Sequence, residues 1–292
     1  MIFARAHLLQ SAPFIFYERK DSGPQMIPCV RDFLGLMEEI APVELAEPWD
    51  NPGLQVGSHS QKIRKMFVAL DATLKSIQSA RRHEAQLLFT HHPLIFKALS
   101  RVDVEKHPGN VVVEALKSGI SIVAAHTNLD VAKEGINHIL AELLGLRHVE
   151  VLQETADSGG AGLGRVGELA EKGELSEVVR RLSGILGVKR FKVVGREDMR
   201  IGRVAVVGGS GGHLLSLASE KRADLLITGD VGYHHALEAE SLGIALIDGG
   251  HFNTEKTAFS AFTDRLKDLF KERGWDVSVE VAGDEVDPMY YT

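Results

Sequence analysis

Apolar positions along the chain follow two different periods. From 30 to 41 they recur at helical spacing, with Val30, Phe33, Leu34, Met37 and Ile40 on one face, and Pro42 ends the run. Short, nearly continuous apolar runs follow at 66–70, 86–90 and 120–125, the signature of strands buried on both faces. Helical patterns at 74–82 and around 110–118 separate them. The turn-rich EPWDNPGLQVG (47–57) reads as an ordered loop leading into a strand, and AKEGINHILAELLG (132–145) as a helix. After a glycine-rich stretch at 155–167, which marks a boundary or a hairpin, come a helix at 174–184 and a strand at 189–194. The strand–helix alternation then restarts: strands at 203–207, 224–228 and 244–247, a helix from the GGSGG run (208–212) through Ser219, and another at 234–241. A helix over 255–273 and a strand over 276–281 complete the pattern. Such alternation predicts an α/β fold with mostly parallel or mixed sheets flanked by helices.

The two halves overlay. VALD (68–71) falls on VAVV (204–207), AQLLFTHHP (85–93) on ADLLITGDV (223–231), and GISIVAAHTNLD (119–130) on GIALIDGGHFNTE (243–255) with one gap. The last pair ends in His126-x-Asn128-x-Asp130 and His251-x-Asn253-x-Glu255. Any two strands of this class look alike, but a shared H-x-N-x-acid at equivalent positions favours a duplication. Open α/β sheets bind ligands beyond the carboxyl ends of their strands, so two such lobes place a site in the cleft between them. The expected division is 26–150 for the first lobe and 151–292 for the second, with 151–200 as a connecting segment.

Composition narrows the chemistry. A length of 292 residues fits two lobes. The formal charge of −7 disfavours nucleic acid and anionic membrane as partners. No apolar stretch is long enough to span a bilayer. Residues 1–25 carry Arg5 and an apolar patch, but Glu18, Arg19, Lys20 and Asp21 stand where a cleavage site belongs, so they read as an extension or a misassigned start. One cysteine, Cys29, permits no intrachain disulfide, suits a cytoplasmic setting and excludes thiolate-rich metal sites. Thirteen histidines leave imidazole and carboxylate as the available ligands.

Those ligands cluster at predicted strand ends. His91 and His92 close an apolar strand and precede Pro93, which favours extended backbone and sends neighbouring side chains apart, an arrangement suited to two ions rather than one. The alternative is a polar strand end in water. His251 and Glu255, four apart, share one face of a helix; the alternative is a helix start capped by Asn253 or Thr254. Asp130 is the corresponding acid of the first lobe, or else the N-cap of the helix at 132–145. Their joint recurrence makes His91, His92, Asp130, His251 and Glu255 the expected ligands of two divalent ions. A bridging carboxylate spans ions about 3.5–4 Å apart in two-metal hydrolases.

The same residues carry a resemblance. EPWDNPGLQVG, DAT, FTHHPLIF, AHTNLD, GDVGYHHA and DGGHFNTE occur in order from about Met26 onward, and the sequence resembles the NIF-three-like family, often labelled GTP cyclohydrolase 1 type 2 homologs. The resemblance implies a duplicated protomer, a dinuclear metal site in the interlobe cleft and a toroidal homohexamer. Carried over by motif, His92 and Asp130 hold one metal, His91 and His251 the other, and Glu255 bridges them.

Secondary candidates surround this set. His126 is expected to support a metal or move protons, and His234, favoured over His235 by the resemblance, to act as acid/base or to touch substrate. GGSGG reads either as a phosphate cradle or as a tight strand–helix turn. Asp230 closes a strand facing the cleft. The leading functional expectation is a metal-dependent hydrolase of a nucleotide-like or phosphorylated small molecule, with zinc, iron, manganese or nickel as the metal. The alternative is a non-catalytic metal-binding regulatory or trafficking scaffold.

Overall fold

The computed structural model describes residues 26–155 and 159–290, so the extension at 1–25 lies outside the described residues. In the first half, helix α1 (Val30–Ile40) leads into strands β1 (Gly53–Val56) and β2 (Lys65–Ala69). Next come α2 (Leu74–Arg82), β3 (Leu87–Thr90), α3 (Gly109–Ser118) and β4 (Ser121–Ala124). Two further helices follow, α4 (Thr127–Val131) and α5 (Ile136–Leu143). A hairpin of β5 (Arg147–Glu154) and β6 (Gly162–Glu174) leads to α6 (Leu175–Leu186), β7 (Lys192–Val194) and β8 (Arg200–Ser210). Then come α7 (Leu215–Glu220), β9 (Leu225–Gly229), α8 (Tyr233–Leu242), β10 (Ala245–Asp248), α9 (His251–Glu272) and β11 (Ser278–Val281).

The first sheet runs β1-β4-β3-β2-β11 and the second β5-β6-β8-β9-β10-β7. In the first, β2, β3 and β4 are parallel and β1 lies antiparallel on β4. In the second, β8, β9 and β10 are parallel and β7 lies antiparallel on β10. Both halves therefore repeat one plan: a helix, an antiparallel edge strand, then three parallel strands joined by crossover helices. The duplication legible in the sequence is present in the topology.

The largest apolar cluster lies between the sheets. It joins Val68, Phe89 and Val123 of the first sheet to Val204, Ile227 and Ile247 of the second through Phe33, Ile139, Phe259 and Phe262 of the intervening helices. Smaller clusters sit under α2 and α3 on one outer face and under α7 and α8 on the other. The long helix α9 is central: Phe259 packs on Phe89, and Phe270 on Phe33, within the edge and tilted ring geometries that aromatic pairs favour. Its buried stripe fixes where its first turn, with His251 and Glu255, meets the first sheet.

Three differences from the sequence reading have physical causes. The strands β5 and β6 fall where no apolar run exists; β6 carries several glycines and charged residues and is held by antiparallel pairing on both sides, to β5 and β8. The predicted helix over 132–145 begins only at Ile136, because Gly135 passes so close to the Leu129 carbonyl that a Cβ would lie 1.7 Å from it. The last strand, β11, pairs in parallel with β2 of the first sheet, so sheet membership does not divide at residue 150.

A candidate metal centre where the sheets meet

The parallel strands of both sheets end at one place. Asp71 follows β2, His91 and His92 follow β3, and His126 follows β4. From the second sheet, Asp230 follows β9 and β10 delivers His251 to the first turn of α9. The helix starts at His251 behind Gly250, so neither Asn253 nor Thr254 is its cap, and Glu255 lies one turn on, on the same face. Asp130 sits inside the short helix α4 rather than capping the next one, whose N-cap is Gly135. That turn is held by buried Arg165 of β6, whose guanidinium donates to the carbonyls of Ala132 and Lys133.

Four histidines are anchored alike. The Nδ1 of His91 lies 2.8 Å from the Ala125 carbonyl, that of His92 2.8 Å from Asp71, that of His126 2.9 Å from Asp50, and that of His251 2.7 Å from Asp230. Every partner is an acceptor, so each Nδ1 carries the proton and each Nε2 is left to face inward, the way an acceptor on one ring nitrogen orients the other toward a metal.

What the inner nitrogens meet is decisive. Glu255 Oε2 is 3.0 Å from His92 Nε2 and 3.1 Å from His251 Nε2, while His91 Nε2 lies 3.5 Å from Asp130 Oδ1 and 3.8 Å from Glu255 Oε1. None of these contacts has the directionality of a hydrogen bond: His91 Nε2, Asp130 Oδ1 and Glu255 Oε2 are buried with no hydrogen-bond partner. Orphaned buried acceptors cost about 1–3 kcal/mol each, so their convergence calls for a cation. Potential ligand atoms of His91, His92 and His126, and separately those of His92, His251 and Glu255, lie within 4.8 Å of one another. Asp130 approaches the cluster at His91, and Glu255 turns Oε1 toward His91 and Oε2 toward His92 and His251. Wholly buried His91 points at Asp130, while His92 turns toward α9.

The cluster's electrostatics without metal fit this picture. Burial disfavours charge on His92, but Asp71 and Glu255 outweigh it and raise its pKa to about 10. Contact with the Glu255 carboxylate, aided by Asp230, raises His251 to about 9. Burial pushes Asp130 up to about 7, and Glu255 stays well below the usual range despite burial because three imidazoles face it. A histidine raised above its unfolded pKa stabilises fully below about 6.5, and that stabilisation is lost as pH climbs through about 9 and 10. Metal binding replaces those protons. The melting temperature of chelated protein is therefore expected to fall from pH 7 to pH 10, with the gap to metal-loaded protein widening. A gap that narrows with pH would contradict the protonation scheme.

Other candidates separate clearly. A cavity of about 380 Å3 opens beside the cluster, lined by Trp49, His126, Asp130, His213, His251 and Glu255 among others. His234 is exposed on α8, with its ring against Tyr233, and does not line it. His235 accepts the Gly232 N–H at the start of the same helix. His213, for which the sequence offered no context, does line the cavity; its place directly after GGSGG was the available signal. The run closes β8 at Ser210, and its last two glycines make the tight passage into the helical turn ahead of α7. Its Gly209, at φ +63°, makes room for the centre: a Cβ there would lie 2.2 Å from Glu255 Oε1. Asp50 and Asp71, which orient His126 and His92, were also not singled out, because an acid that grips Nδ1 leaves no mark in spacing.

Two sheets of duplicated plan, with histidines and carboxylates from both strand-end sets able to hold a metal ion, define an α/β protein with a candidate metal site between its lobes. The family model Duf34/NIF3 (NGG1p interacting factor 3) matches residues 28–288, and the chain belongs to that family. A GTP cyclohydrolase 1 type 2 homolog of Clostridium perfringens is 34% identical over 262 residues, covering 90% of this chain and 99% of the relative. A Helicobacter pylori protein named GTP cyclohydrolase 1 type 2 is 37% identical over 233 residues, covering 78% and 87%. The solved structure of a Bacillus cereus protein related to NIF3 superposes with a TM-score of 0.84 at 26% identity, covering 91% of this chain and 99% of that one. Among the described residues no helix is long and apolar enough to cross a membrane.

Proposed function

We propose that the protein binds two divalent metal ions and hydrolyses a nucleotide-like or phosphorylated small molecule. The observation that carries this is the convergence of His91 Nε2, Asp130 Oδ1 and Glu255 Oε2, all buried and unpaired, inside a ring of histidines whose other nitrogens are already engaged. His91 and Asp130 would hold one ion, His92 and His251 the other, and Glu255 would bridge them. Imidazole with carboxylate suits zinc, iron, manganese or nickel. Bound there, such ions supply Lewis acidity and lower the pKa of water.

The chain's own residues do the rest. Burial alone would raise the Asp50 carboxyl, but hydrogen bonds from His126 and Thr127 outweigh it and hold it down to about 2. Asp50 is thus a fixed anion that keeps the proton on His126 Nδ1, leaving Nε2 to take or give a proton at the cavity edge. With His234 outside the cavity, that duty falls to His126. A second cavity of about 380 Å3 that also reaches His251 is lined by Arg190 and Lys192 but equally by Asp230, Asp248 and Asp287, so its charge does not select for phosphate. The Helicobacter pylori relative's name supports a nucleotide as the substrate class. A cytoplasmic setting and a homohexameric assembly complete the reading; light scattering should return six chains per particle.

The test is turnover. Protein loaded separately with each metal and offered nucleoside triphosphates and phosphoesters should hydrolyse at least one of them, and chelation should stop it. Fully loaded protein that turns over nothing in such a panel would leave the scaffold reading in its place.

A further inference from the structure

Trp49 and Phe96 are 56% and 45% exposed, although large aromatic rings ordinarily find cover. They stack on one another with centroids 5.9 Å apart and planes 13° apart, and each lies edge-on to the His126 ring. The pair is built across two loops. Asn51 Nδ2 donates to the Ile95 carbonyl at 2.7 Å, and the Ile95 N–H donates to Gln55 Oε1 at 3.1 Å. On the other side of Trp49, Asp50 accepts from the Thr127 N–H and hydroxyl, and the Glu47 N–H donates to Thr127 Oγ1. The loop carrying Trp49 is therefore fixed before any ligand arrives, so little ordering cost falls on binding. Trp49 and Glu47 both line the cavity that reaches Asp130, His251 and Glu255, and its volume falls within the range of small-molecule sites. The Glu47 carboxylate makes no hydrogen bond or ion pair among the described residues.

We infer that Trp49, backed by Phe96, is a stacking wall for a planar heteroaromatic ring of the substrate, and that Glu47 selects rings whose edge carries adjacent N–H donors. This rests on the reading of the cavity as the substrate site, and it deepens that reading by naming what the site recognises. A stacking surface accepts any flat ring, because every base has a π-face. An ionised carboxylate only accepts hydrogen bonds, so it favours an edge with two donors, such as the ring N–H and exocyclic amine of guanine, and disfavours one that presents a ring acceptor, as adenine does.

Calorimetric titration of the metal-loaded full chain with guanosine, inosine and adenosine monophosphates and ribose 5-phosphate tests this, with metal content measured for every sample. Guanosine monophosphate should bind tightest and ribose 5-phosphate weakest. Trp49→Leu, which keeps apolar bulk without a π-face, should weaken guanosine monophosphate binding about ten- to a hundredfold, whereas Trp49→Phe should retain most of it. Glu47→Gln should narrow the gap between guanosine and adenosine monophosphates. If ribose 5-phosphate binds as tightly as guanosine monophosphate, or Trp49→Leu binds as wild type does while fully metal-loaded, the stacking wall is overturned and the metal centre stands. Protein that takes up no metal yet binds nucleotide through Trp49 would overturn the metal reading instead.

Discussion

Glu255→Gln is expected to abolish metal retention while leaving the fold intact. Glu255 Oε1 faces His91 and Oε2 faces His92 and His251, so the amide removes the charge that two proposed ions would share and turns one oxygen into a donor aimed at imidazole nitrogens. Outer-shell substitutions at metal sites cost about 10–100-fold in affinity, and loss of a buried bridging ligand should exceed that. Stability reports the same event. An ion present at about a thousand times its Kd stabilises by about 4 kcal/mol, so wild type should lose several degrees of melting temperature on chelation and the variant almost none. A variant that kept two ions per chain would show that Glu255 is not the bridge.

Asp130→Asn should separate stability from metal binding. Burial raises the Asp130 carboxyl to about 7, and its Oδ1 has no hydrogen-bond partner. A carboxyl raised in the folded state stabilises fully below the unfolded value near 4 and loses that contribution as pH rises through about 7. At pH 8 the metal-free wild type therefore carries a buried anion near Glu255 that the neutral amide avoids. Metal-free Asp130→Asn is expected to be more stable than metal-free wild type at pH 8 by about 1–3 kcal/mol, with the difference shrinking toward pH 5. Metal-loaded, the order should reverse, because the variant lacks a ligand. Denaturant melts at the two pH values, with and without chelator, give all four numbers. A variant less stable at pH 8 in the absence of metal would mean that Asp130 serves the fold rather than an ion.

The sequence revealed most where chemistry and periodicity coincide. The parallel strands of both halves are buried on both faces, so they show as apolar runs, and the histidines and acids that close them are conspicuous by contrast. That is why His91, His92, Asp130, His251 and Glu255 stand out in the sequence, and the structure draws all five together with His126. Elsewhere the signal is spatial. Asp50, Asp71 and Asp230 matter through which nitrogen they grip. Gly209 matters because a carboxylate occupies the space its side chain would fill, and β11 because it crosses to the other sheet. The glycine-rich stretch at 155–167 pointed to a boundary or a hairpin, but the strands β5 and β6 beside it went unread because they draw their order from neighbours rather than from an apolar run.

The central claim is a two-ion centre bridged by Glu255. Elemental analysis of the full chain, purified without a metal-binding tag and reconstituted with each divalent metal in turn, tests it most directly. The proposal predicts two tightly held ions per chain for at least one metal, falling below one in Glu255→Gln. A wild-type chain that retains one ion or none with every metal would contradict it.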